Sequence, residues 1–409
     1  MEGWKTYKLG DIAQIKGGKR LPKGVSLSSV ANSHPYIRIR DLGSTRILEL
    51  NETYEYVDDD TQKTISRYIV NRGDILLSIV GTIGLTGIVG DSLDNANLTE
   101  NCVKIVGLQG LNSKFLYYFL RSQIGQNEIQ KGIVGAVQPK LPIKNIQDIT
   151  ITIPSLIEQE RIVGILSSID DKIELNNRIN HNLEEQAQAL FKSWFVDFEP
   201  FTDRSFVDSE LGMIPDGWTV VSIQDLSDRI ASGGTPKSMD ASLYNGPIKW
   251  FTTKELKDNF LFNSEKHISN VAVENSAAKF FPAGSVLMAI YASPTVGRLG
   301  ILTSESTFNQ AAVSMVPKQC IGSEFLFLLL LSERNNLNNL ASGAAQQNLN
   351  VGIVKNYPVL SPPIDTLNSF NNLIKPIFNE IKKNSSENCQ LVEMRDSLLP
   401  ILMKGEIAC

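Results

Sequence analysis

Three short loops that combine glycine with basic and amide side chains occur twice in the chain, and their residue types suit contact with nucleic acid. Lysine and arginine bind phosphates, while glutamine, asparagine and threonine can hydrogen-bond to base edges. Glycine lets the backbone of such a loop approach a ligand closely. The candidate contact residues are Lys19, Arg20, Lys23, Thr82, Gln138 and Lys140 in the first copy, and Thr235, Lys237, Thr295, Arg298, Gln346 and Asn348 in the second.

The loops correspond to one another by sequence. Residues 16–23 match 232–237, residues 81–84 match 292–298, and residues 135–140 match 343–348. Glycine beside lysine is common on any protein surface, and shared descent also preserves turns that serve only the fold. A purely structural role for these glycines therefore stays open beside the binding role.

A further basic pair, Arg38 and Arg40, flanks Ile39 in a strand-like stretch that begins at Pro35. Residues two apart on a strand point to the same face, so both guanidinium groups should project together. The counterparts in the second copy are Thr252 and Lys254. These positions either contact bases and phosphates, which would give the two copies different preferences, or form an ordinary solvated strand edge.

The sequence lacks the motifs of an enzyme site. Residues 17–20, Gly-Gly-Lys-Arg, have neither the upstream glycine nor the Ser/Thr of a nucleotide-binding P-loop. The three histidines share no i, i+4 spacing, and the four cysteines form no C-x-x-C pair. We therefore expect no catalysis, no metal and no cofactor.

The loops belong to a module that is present twice. Gly3-Trp4 recurs as Gly217-Trp218 and Phe115-Leu116 recurs as Phe325-Leu326, and the offset between the copies falls from 214 to 208 along the chain. A period near 210 residues is too long for a solenoid and indicates a duplicated globular module. Short apolar runs between glycine-rich turns, followed by a helix at 113–122 and at 323–332, predict a mixed α/β module.

Each copy ends in a segment with heptad spacing. The spaced positions are 162, 166, 169, 173, 176, 180, 183, 187, 190 and 194, together with the positions 208 residues further on. Both segments place asparagine at two equivalent positions, Asn176 and Asn180 in one and Asn384 and Asn388 in the other. The spacing indicates two paired helices whose buried asparagines fix the register. Alternatively, the asparagines face solvent where the helices separate.

Two prolines, Pro376 and Pro400, lie within the second heptad segment. An interior proline removes a backbone hydrogen bond and kinks a helix. The C-terminal helix is therefore expected to bend, or to begin only at Pro376.

Charge and hydropathy place the chain among ordinary globular proteins. Its net charge is −5, but residues 1–153 carry +3 and residues 154–214 carry −7, which is weak support for nucleic-acid binding by the module. The longest apolar run, 325–331, is far shorter than the roughly 20 residues that span a bilayer. With no leader-like sequence at the start, the protein is expected to be cytoplasmic.

Several stretches of the sequence resemble the specificity subunit of type I restriction–modification systems. They are 153–162 with its Glu-Gln-Glu-Arg, 190–198, 211–218, the Gly-Gly-Thr-Pro of 233–236 and the Gly-Ala-Ala-Gln-Gln-Asn-Leu of 343–349. The resemblance covers essentially the whole chain. It is weaker in the first copy, where residues 17–20 lack Thr-Pro and Pro139 interrupts the third loop.

This resemblance implies an α+β fold, in which two similar mixed α/β target recognition domains are separated by two long antiparallel helices that form an intramolecular coiled coil. We predict the first recognition domain at 1–153, a central helical spacer at 154–200, a linker and the second recognition domain at 201–361, and a C-terminal helical spacer at 362–409. The helices would space the two domains along DNA.

The resemblance also implies a function without catalysis by this chain. Each domain would read one half of a bipartite, asymmetric DNA sequence, and the chain would assemble with two modification (methyltransferase) subunits and with ATP-dependent restriction subunits. The aromatic residues Phe191, Trp194, Phe195 and Phe198 exceed what one helix seam needs. We expect some of them to dock the modification subunits, with an intramolecular core as the alternative. A two-headed adaptor that binds proteins instead of DNA is the competing function.

Overall fold

The computed structural model describes residues 3–43, 45–237, 240–291, 294–340 and 348–406. The chain forms two compact units. The first unit contains Met1–Leu175 and Asn388–Cys409, and the second contains Asn176–Glu387. Each unit therefore combines one module with a segment of each long helix.

The module of the first unit is mixed α/β. Its strands are β1 (Lys5–Lys8), β2 (Gln14–Gly17), β3 (Pro35–Ile37), β4 (Ile47–Leu48), β5 (Glu55–Tyr56), β6 (Ile75–Ser78), β7 (Thr86–Val89), β8 (Asn97–Leu98), β9 (Cys102–Val106) and β10 (Thr150–Ile153). Its helices are α1 (Leu9–Ile12), α2 (Asp59–Ile65), α3 (Ser113–Arg121), α4 (Gln123–Gly132) and α5 (Ile143–Gln147), and the long helix α6 (Leu156–Phe195) follows.

The second module is mixed α/β as well. Its strands, with those of the preceding linker, are β11 (Phe206–Ser209), β12 (Gly212–Pro215), β13 (Thr219–Ser222), β14 (Ser227–Ser232), β15 (Ile248–Phe251), β16 (Asn259–Leu261), β17 (Lys266–Ile268), β18 (Val286–Ala289), β19 (Leu299–Leu302), β20 (Thr307–Phe308), β21 (Ala312–Pro317) and β22 (Pro358–Ser361). Its helices are α7 (Asn270–Glu274), α8 (Ser323–Ser332), α9 (Arg334–Asn339) and α10 (Val351–Asn356), and the long helix α11 (Ile364–Lys404) follows.

The two modules have the same sheet topology, which confirms the duplicated α/β module. A five-stranded sheet has the order β2-β9-β6-β7-β4 in the first and β14-β21-β18-β19-β16 in the second. A three-stranded sheet has the order β5-β3-β8 in the first and β17-β15-β20 in the second. The apolar run at 325–331 lies in α8, where residues 325–330 are at most 6% exposed. Within the described ranges, no helix is long and apolar enough to cross a membrane.

A two-stranded ladder joins the beginning and end of each module. Antiparallel pairing of β1 with β10 places Lys5 opposite Ile153, and pairing of β13 with β22 places Thr219 opposite Ser361. The long helix begins within three residues of the ladder in each copy. The first and last strands of each module are therefore neighbours, and the long helix begins directly after them.

The second long helix is continuous through both prolines. It runs over Ile364–Lys404 and includes Pro376 and Pro400, so the expectation that it begins only at Pro376 is wrong. An interior proline costs a helix about 3 kcal/mol or more. Phe370 and Phe378, on either side of Pro376, are both buried, and this packing offsets the lost hydrogen bond.

Within the second unit, the two helix segments run antiparallel and bury asparagines. The amide of Asn384 donates to Asn180 (3.0 Å), and Asn180 donates to Ser385 (3.1 Å). Asn176 donates to Glu387 (2.8 Å). Asn176, Asn180 and Asn384 are 0%, 8% and 4% exposed, so the solvent-facing alternative does not hold for them. A slipped register would leave these amides unpaired, at about 1–3 kcal/mol each.

Within the first unit, the helix segments hold the module through a buried polar network. The Arg46 guanidinium, 5% exposed, donates to the Tyr118 hydroxyl (3.4 Å) and forms an ion pair with Asp171. Tyr118 donates to Asp170 (2.6 Å), which also accepts from Arg395 (3.0 Å). Burial and the bond to Asp170 raise the pKa of Tyr118, so its hydroxyl stays protonated as a donor.

We predict that Asp170→Ala destabilises the first unit by about 3 kcal/mol, because it leaves the buried Tyr118 hydroxyl without its acceptor and removes one partner of the partly buried Arg395. Asp170→Asn should cost less, since the amide oxygen still accepts from Tyr118. The readout is urea-induced exposure of the Cys102 thiol, which is 0% exposed and whose pKa burial raises to about 12.

The matched control is Asp91→Ala. Asp91 and Arg72 form an ion pair (2.8 Å) in which both side chains are about 70% exposed, so this change should cost at most about 1 kcal/mol. Equal losses from the two alanine variants would contradict the role given to the buried network.

Candidate nucleic-acid interface

In the first unit, the three candidate loops gather at one end of the five-stranded sheet. The backbone N–H of Gly18, after β2, donates to the carbonyl of Cys102, where β9 begins (3.0 Å). The N–H of Ile79, after β6, donates to Asn101 (2.8 Å). The N–H of Leu141, after the third loop, donates to Ile79 (2.9 Å). These bonds place the ends of all three loops side by side.

The second unit makes the same three bonds. Gly233 donates to Ala312 (3.2 Å), Ile290 donates to Ala311 (2.8 Å), and Leu349 donates to Ile290 (2.9 Å). We call this end of each sheet the loop end. It comprises residues 18–23, 38–41, 81–84, 99–101 and 135–140 in the first unit, and residues 233–237, 252–255, 294–298, 309–311 and 348 in the second.

The glycines of the first loop are required by the fold. A Cβ atom on Gly18 would lie 2.0 Å from the carbonyl oxygen of Thr99, and one on Gly233 would lie 2.1 Å from that of Phe308. No side chain fits at such distances. The structural interpretation, which the sequence left open, therefore accounts for these two glycines, while the residues that follow them carry the candidate contacts.

The hydrogen bonds also correct the alignment of this loop by one residue. Because Gly18 and Gly233 make equivalent bonds, Thr235 is the counterpart of Arg20 and not of Lys19. Gly233 therefore corresponds to Gly18, and not to Gly17 as the sequence match of 16–23 with 232–237 predicts. Adjacent glycines are interchangeable in such a comparison, and only the strand pairing distinguishes them.

Arg20 and Thr235 hydrogen-bond to equivalent residues of the neighbouring turn. Arg20 Nε donates to Glu100 (2.7 Å), and the Thr235 hydroxyl donates to Gln310. Burial alone would raise the pKa of Glu100, but the bond and charge of Arg20 lower it, so this pair is ionised at neutral pH. The sequence analysis missed Glu100 and Gln310, although the change from acid to amide is visible at an offset of 210.

Arg38 and Arg40 converge, but not because they share a strand. The strand β3 ends at Ile37, and a single 3-10 turn over Ile39–Asp41 follows, so the strand prediction is wrong for both arginines. Both guanidinium groups contact Glu55, with Arg40 at 3.1 Å. Arg40 also forms an ion pair with the buried Asp41 carboxylate (3.5 Å), so two carboxylates compensate the two cations, and the Arg40 side chain is 51% exposed. The turn therefore presents two guanidinium groups in a fixed position.

The equivalent turn of the second unit has a different charge arrangement. The hydroxyl and backbone N–H of Thr252 donate to Glu255 (2.9 and 2.6 Å), and Lys254 is exposed. Strand pairing places Lys266 at the position that Glu55 occupies in the first unit. An acid in one copy thus corresponds to a base in the other, a difference that the sequence analysis did not register.

The third loop of the first unit is a projecting hairpin. Val134 and Lys140 exchange backbone hydrogen bonds (2.9 and 3.0 Å), and Gly135 turns the chain with φ of +94°. Val137, at the tip, is 94% exposed, and Gln138 and Lys140 are exposed beside it. A hairpin with an apolar tip and an adjacent amide and amine has the groups needed to contact a thymine methyl, a base edge and a phosphate.

The remaining candidates differ in their exposure. Thr82, in the second loop, is exposed, whereas Thr295, Arg298 and Asn348 are partly buried. Gln346 lies outside the described residues.

Three lysines complete the loop ends. Lys23 and Lys237 are exposed, and the Lys19 amine lies 5.4 Å from the centre of the Tyr68 ring.

Within the described part of the chain, no group of three or more His, Cys, Asp or Glu residues could hold a metal ion. The loop ends thus present amine, guanidinium, hydroxyl and amide groups to solvent.

The aromatic cluster at the end of α6 is largely a core of the second unit. Phe191 and Phe195 are 4% and 6% exposed, and the Phe195 ring lies 4.7 Å from that of Phe370. Trp194, 5.7 Å from Phe370, and Phe198 are partly buried. The intramolecular alternative accounts for Phe191 and Phe195. A docking role stays a prediction, and it is open only to the side chains that retain exposure.

Comparison with known proteins identifies the family. The family described as "Type I restriction modification DNA specificity domain" matches residues 1–185 and 215–388. The type I restriction enzyme MjaIX specificity subunit of Methanocaldococcus jannaschii is 27% identical over 99% of this chain and 93% of its own length. The HindI specificity subunit of Haemophilus influenzae is 26% identical over 100% of both chains.

A solved structure shows the same fold. The S subunit of a type I restriction–modification system from M. genitalium covers 98% of this chain and 96% of its own, with a TM-score of 0.57 at 13% identity. Two matches to the specificity domain cover most of the chain, and each corresponds to one module with its own sheets and loop end. The chain therefore belongs to the family of type I restriction–modification DNA specificity subunits.

Proposed function

We propose that this chain recognises DNA for a type I restriction–modification complex, with the loop end of each unit contacting one half of a bipartite, asymmetric sequence. The observation that carries the proposal is the pair of loop ends, equal in backbone topology and different in charged side chains at equivalent positions. A shared scaffold gives both units the same mode of approach. Different side chains give them different base preferences.

The chain acts without catalytic machinery or cofactor of its own. Its partners are double-stranded DNA, two modification (methyltransferase) subunits that methylate adenines, and restriction subunits that translocate and cleave DNA. We place it in the cytoplasm, where these partners and the DNA are found.

Charge compensation at the loop ends supports weak DNA binding by the isolated chain. Arg20 is paired with Glu100, and Arg38 and Arg40 share Glu55, while the whole chain has a net charge of −5. Phosphate neutralisation dominates DNA affinity, so the partner subunits supply most of the attraction.

We predict that adenine methylation requires the mixture of this chain with modification subunits. Neither component alone should methylate DNA, and the mixture should methylate one split, asymmetric sequence found by mapping modified adenines in genomic DNA. Tight, salt-insensitive binding by the chain alone would contradict the proposal. A mixture that assembles but methylates no DNA would favour the protein-binding adaptor.

A double substitution can convert one position of the first loop end to the chemistry of the second. Arg20→Thr with Glu100→Gln retains a local hydrogen bond of the kind that Thr235 and Gln310 make. We predict that it changes the base preference or lowers methylation at one half of the target about tenfold or more, because a specific contact is worth about 1–3 kcal/mol. The other half should be read as before, as scored by mapped modified adenines.

The control for this swap is Arg72→Ala, which removes an exposed arginine beyond the opposite end of β6. It should leave both halves of the target unchanged. If the double variant likewise leaves both halves unchanged, Arg20 and Glu100 are not part of the recognition surface.

We further propose that a modification subunit docks beside the aromatic cluster, on a groove at the end of α6. The groove encloses about 340 Å³ and is lined by Gln188, Ala189, Phe191, Lys192, Val196, Leu328, Leu331 and Ser332. Val196, which is 49% exposed, contributes an accessible apolar side chain to the lining of this groove.

We predict that Val196→Asp reduces assembly with modification subunits at least tenfold, because it places a charge in an apolar contact. Thermal unfolding of the chain alone should change little. Val207→Asp, at another valine that is 40% exposed, is the matched control and should assemble normally. Normal assembly of the Val196→Asp chain would exclude this groove as the docking site.

A further inference from the structure

The first unit contains a cavity at the end of α11. It encloses about 560 Å³, which lies within the usual range of about 300–1,000 Å³ for ligand pockets. Trp4, Phe119, Ile124 and Met403 line its apolar part. Its polar part is lined by Glu128, Thr150, Thr152, Lys404, Gly405 and Glu406. The tryptophan distinguishes this cavity, because a large ring is seldom left on an open apolar surface.

The equivalent surface of the second unit is filled. Trp218 is the counterpart of Trp4 in the repeat and is only 4% exposed. The ring of Phe198 lies 5.4 Å from it in an edge-on arrangement, and the ring of Phe201 lies 5.3 Å from it. The chain that leaves α6 thus places two aromatic side chains, three residues apart, on the tryptophan.

The first unit lacks this aromatic cover among its described residues. There, Trp4 is partly exposed and its ring contacts one aromatic ring, that of Phe115, at 6.4 Å. Directly after α11, Gly405 lies beside Trp4. A Cβ atom added to Gly405 would lie 2.8 Å from the indole ring. The backbone of Gly405 therefore lies against Cε2, Cζ2 and Nε1 of the indole, and among the described residues no aromatic side chain of this segment covers the apolar part of the cavity.

We propose that this cavity docks a segment of a partner protein that carries two aromatic side chains three residues apart, of the form Phe-x-x-Phe. The second unit provides the precedent, because residues 198–201, Phe-Glu-Pro-Phe, cover the equivalent tryptophan in that way. Edge-to-face contact with an indole selects for aromatic over aliphatic side chains. The duplicated fold thus retains the receptor surface in both units, and in the first unit the cover comes from another chain.

The test uses the chain's own cover segment as a probe. A fluorescein-labelled peptide with the sequence of residues 196–204 is titrated into the full-length chain and followed by fluorescence polarisation. We expect saturable binding with a Kd below about 1 mM. A peptide with alanine at both phenylalanine positions should bind at least tenfold more weakly. Absence of saturable binding overturns the proposal.

Two variants of the full chain locate the binding. Thr152→Arg fills the cavity from its rim and should weaken binding at least tenfold, as should Trp4→Ala. Thr64→Arg places the same charge at an exposed threonine on α2 and should bind like the parent chain. Because the Thr152 side chain lies at a partly exposed site, circular dichroism and thermal unfolding should match the parent. Binding that Thr152→Arg leaves unchanged overturns the assignment to this cavity.

Two other occupants give different outcomes. If residues 407–409 of the chain itself cover the cavity, a chain ending at Glu406 will bind the peptide at least tenfold more tightly than the full chain. If a second copy covers it, the full chain will form a concentration-dependent dimer that Thr152→Arg abolishes. Either result overturns docking of a partner's Phe-x-x-Phe segment.

Discussion

The antiparallel pairing of the first and last strands of each module is the constraint on which the rest of the structure depends. The four-residue ladders β1–β10 and β13–β22 bring the beginning of a module beside its end, immediately before the long helix starts. Some 140 residues can then vary without changing where the helix begins, because the ladder holds both ends. Backbone hydrogen bonds make this closure insensitive to side-chain identity. A module built in this way can be duplicated and can diverge while its connection to the helices is preserved.

The contacts between module and helices show how far the copies have diverged in their interiors. The repeat alignment places Tyr118 and Asp170 of the first unit at the positions of Leu328 and Phe378 in the second. The first unit fills this site with a buried hydrogen-bonded network, and the second fills it with apolar and aromatic packing. Either solution is stable when complete, but a mixture would bury an unpaired charge or hydroxyl. Each module is therefore matched to its own helix segments, despite the common topology.

The sequence predicted those features that arise from periodicity. The internal repeat, the mixed α/β modules and the long helices all follow from patterns many residues long, and the structure has each of them. The sequence-based prediction of secondary structure was wrong where a single local hydrogen bond decides the backbone conformation. Asp41 accepts from the backbone N–H of Arg38 and turns the chain out of the strand, as Glu255 does for Thr252. An acidic residue three positions after the start of a turn is a capping pattern, so this signal was present in the sequence.

Other features could not have been found without the fold. The choice between two adjacent glycines depends on which one donates its N–H to the neighbouring strand, which no single sequence records. The continuity of α11 through Pro376 depends on Phe370 and Phe378, which flank the proline on the helix and are buried against aromatic side chains of the module. The core role of Phe191 and Phe195 likewise depends on partners more than 100 residues away. Long-range packing decides each of these cases, and local propensity is only a weak guide to it.

Under the proposed function, the arrangement of charge at the loop ends would allow one scaffold to serve an asymmetric target. In the first unit, Arg38 and Arg40 are held by Glu55, so the cations have a fixed geometry and lose little conformational freedom on binding. In the second unit, the same positions are Thr252 and Lys254, and Lys266 replaces the acid. A rigid bidentate donor favours guanine or a fixed phosphate, whereas a lysine acts as a mobile point charge. The two units thus differ in the chemistry and in the rigidity of the groups at their loop ends. Under the proposed function, this difference would let them distinguish the two half-sites without any change in fold.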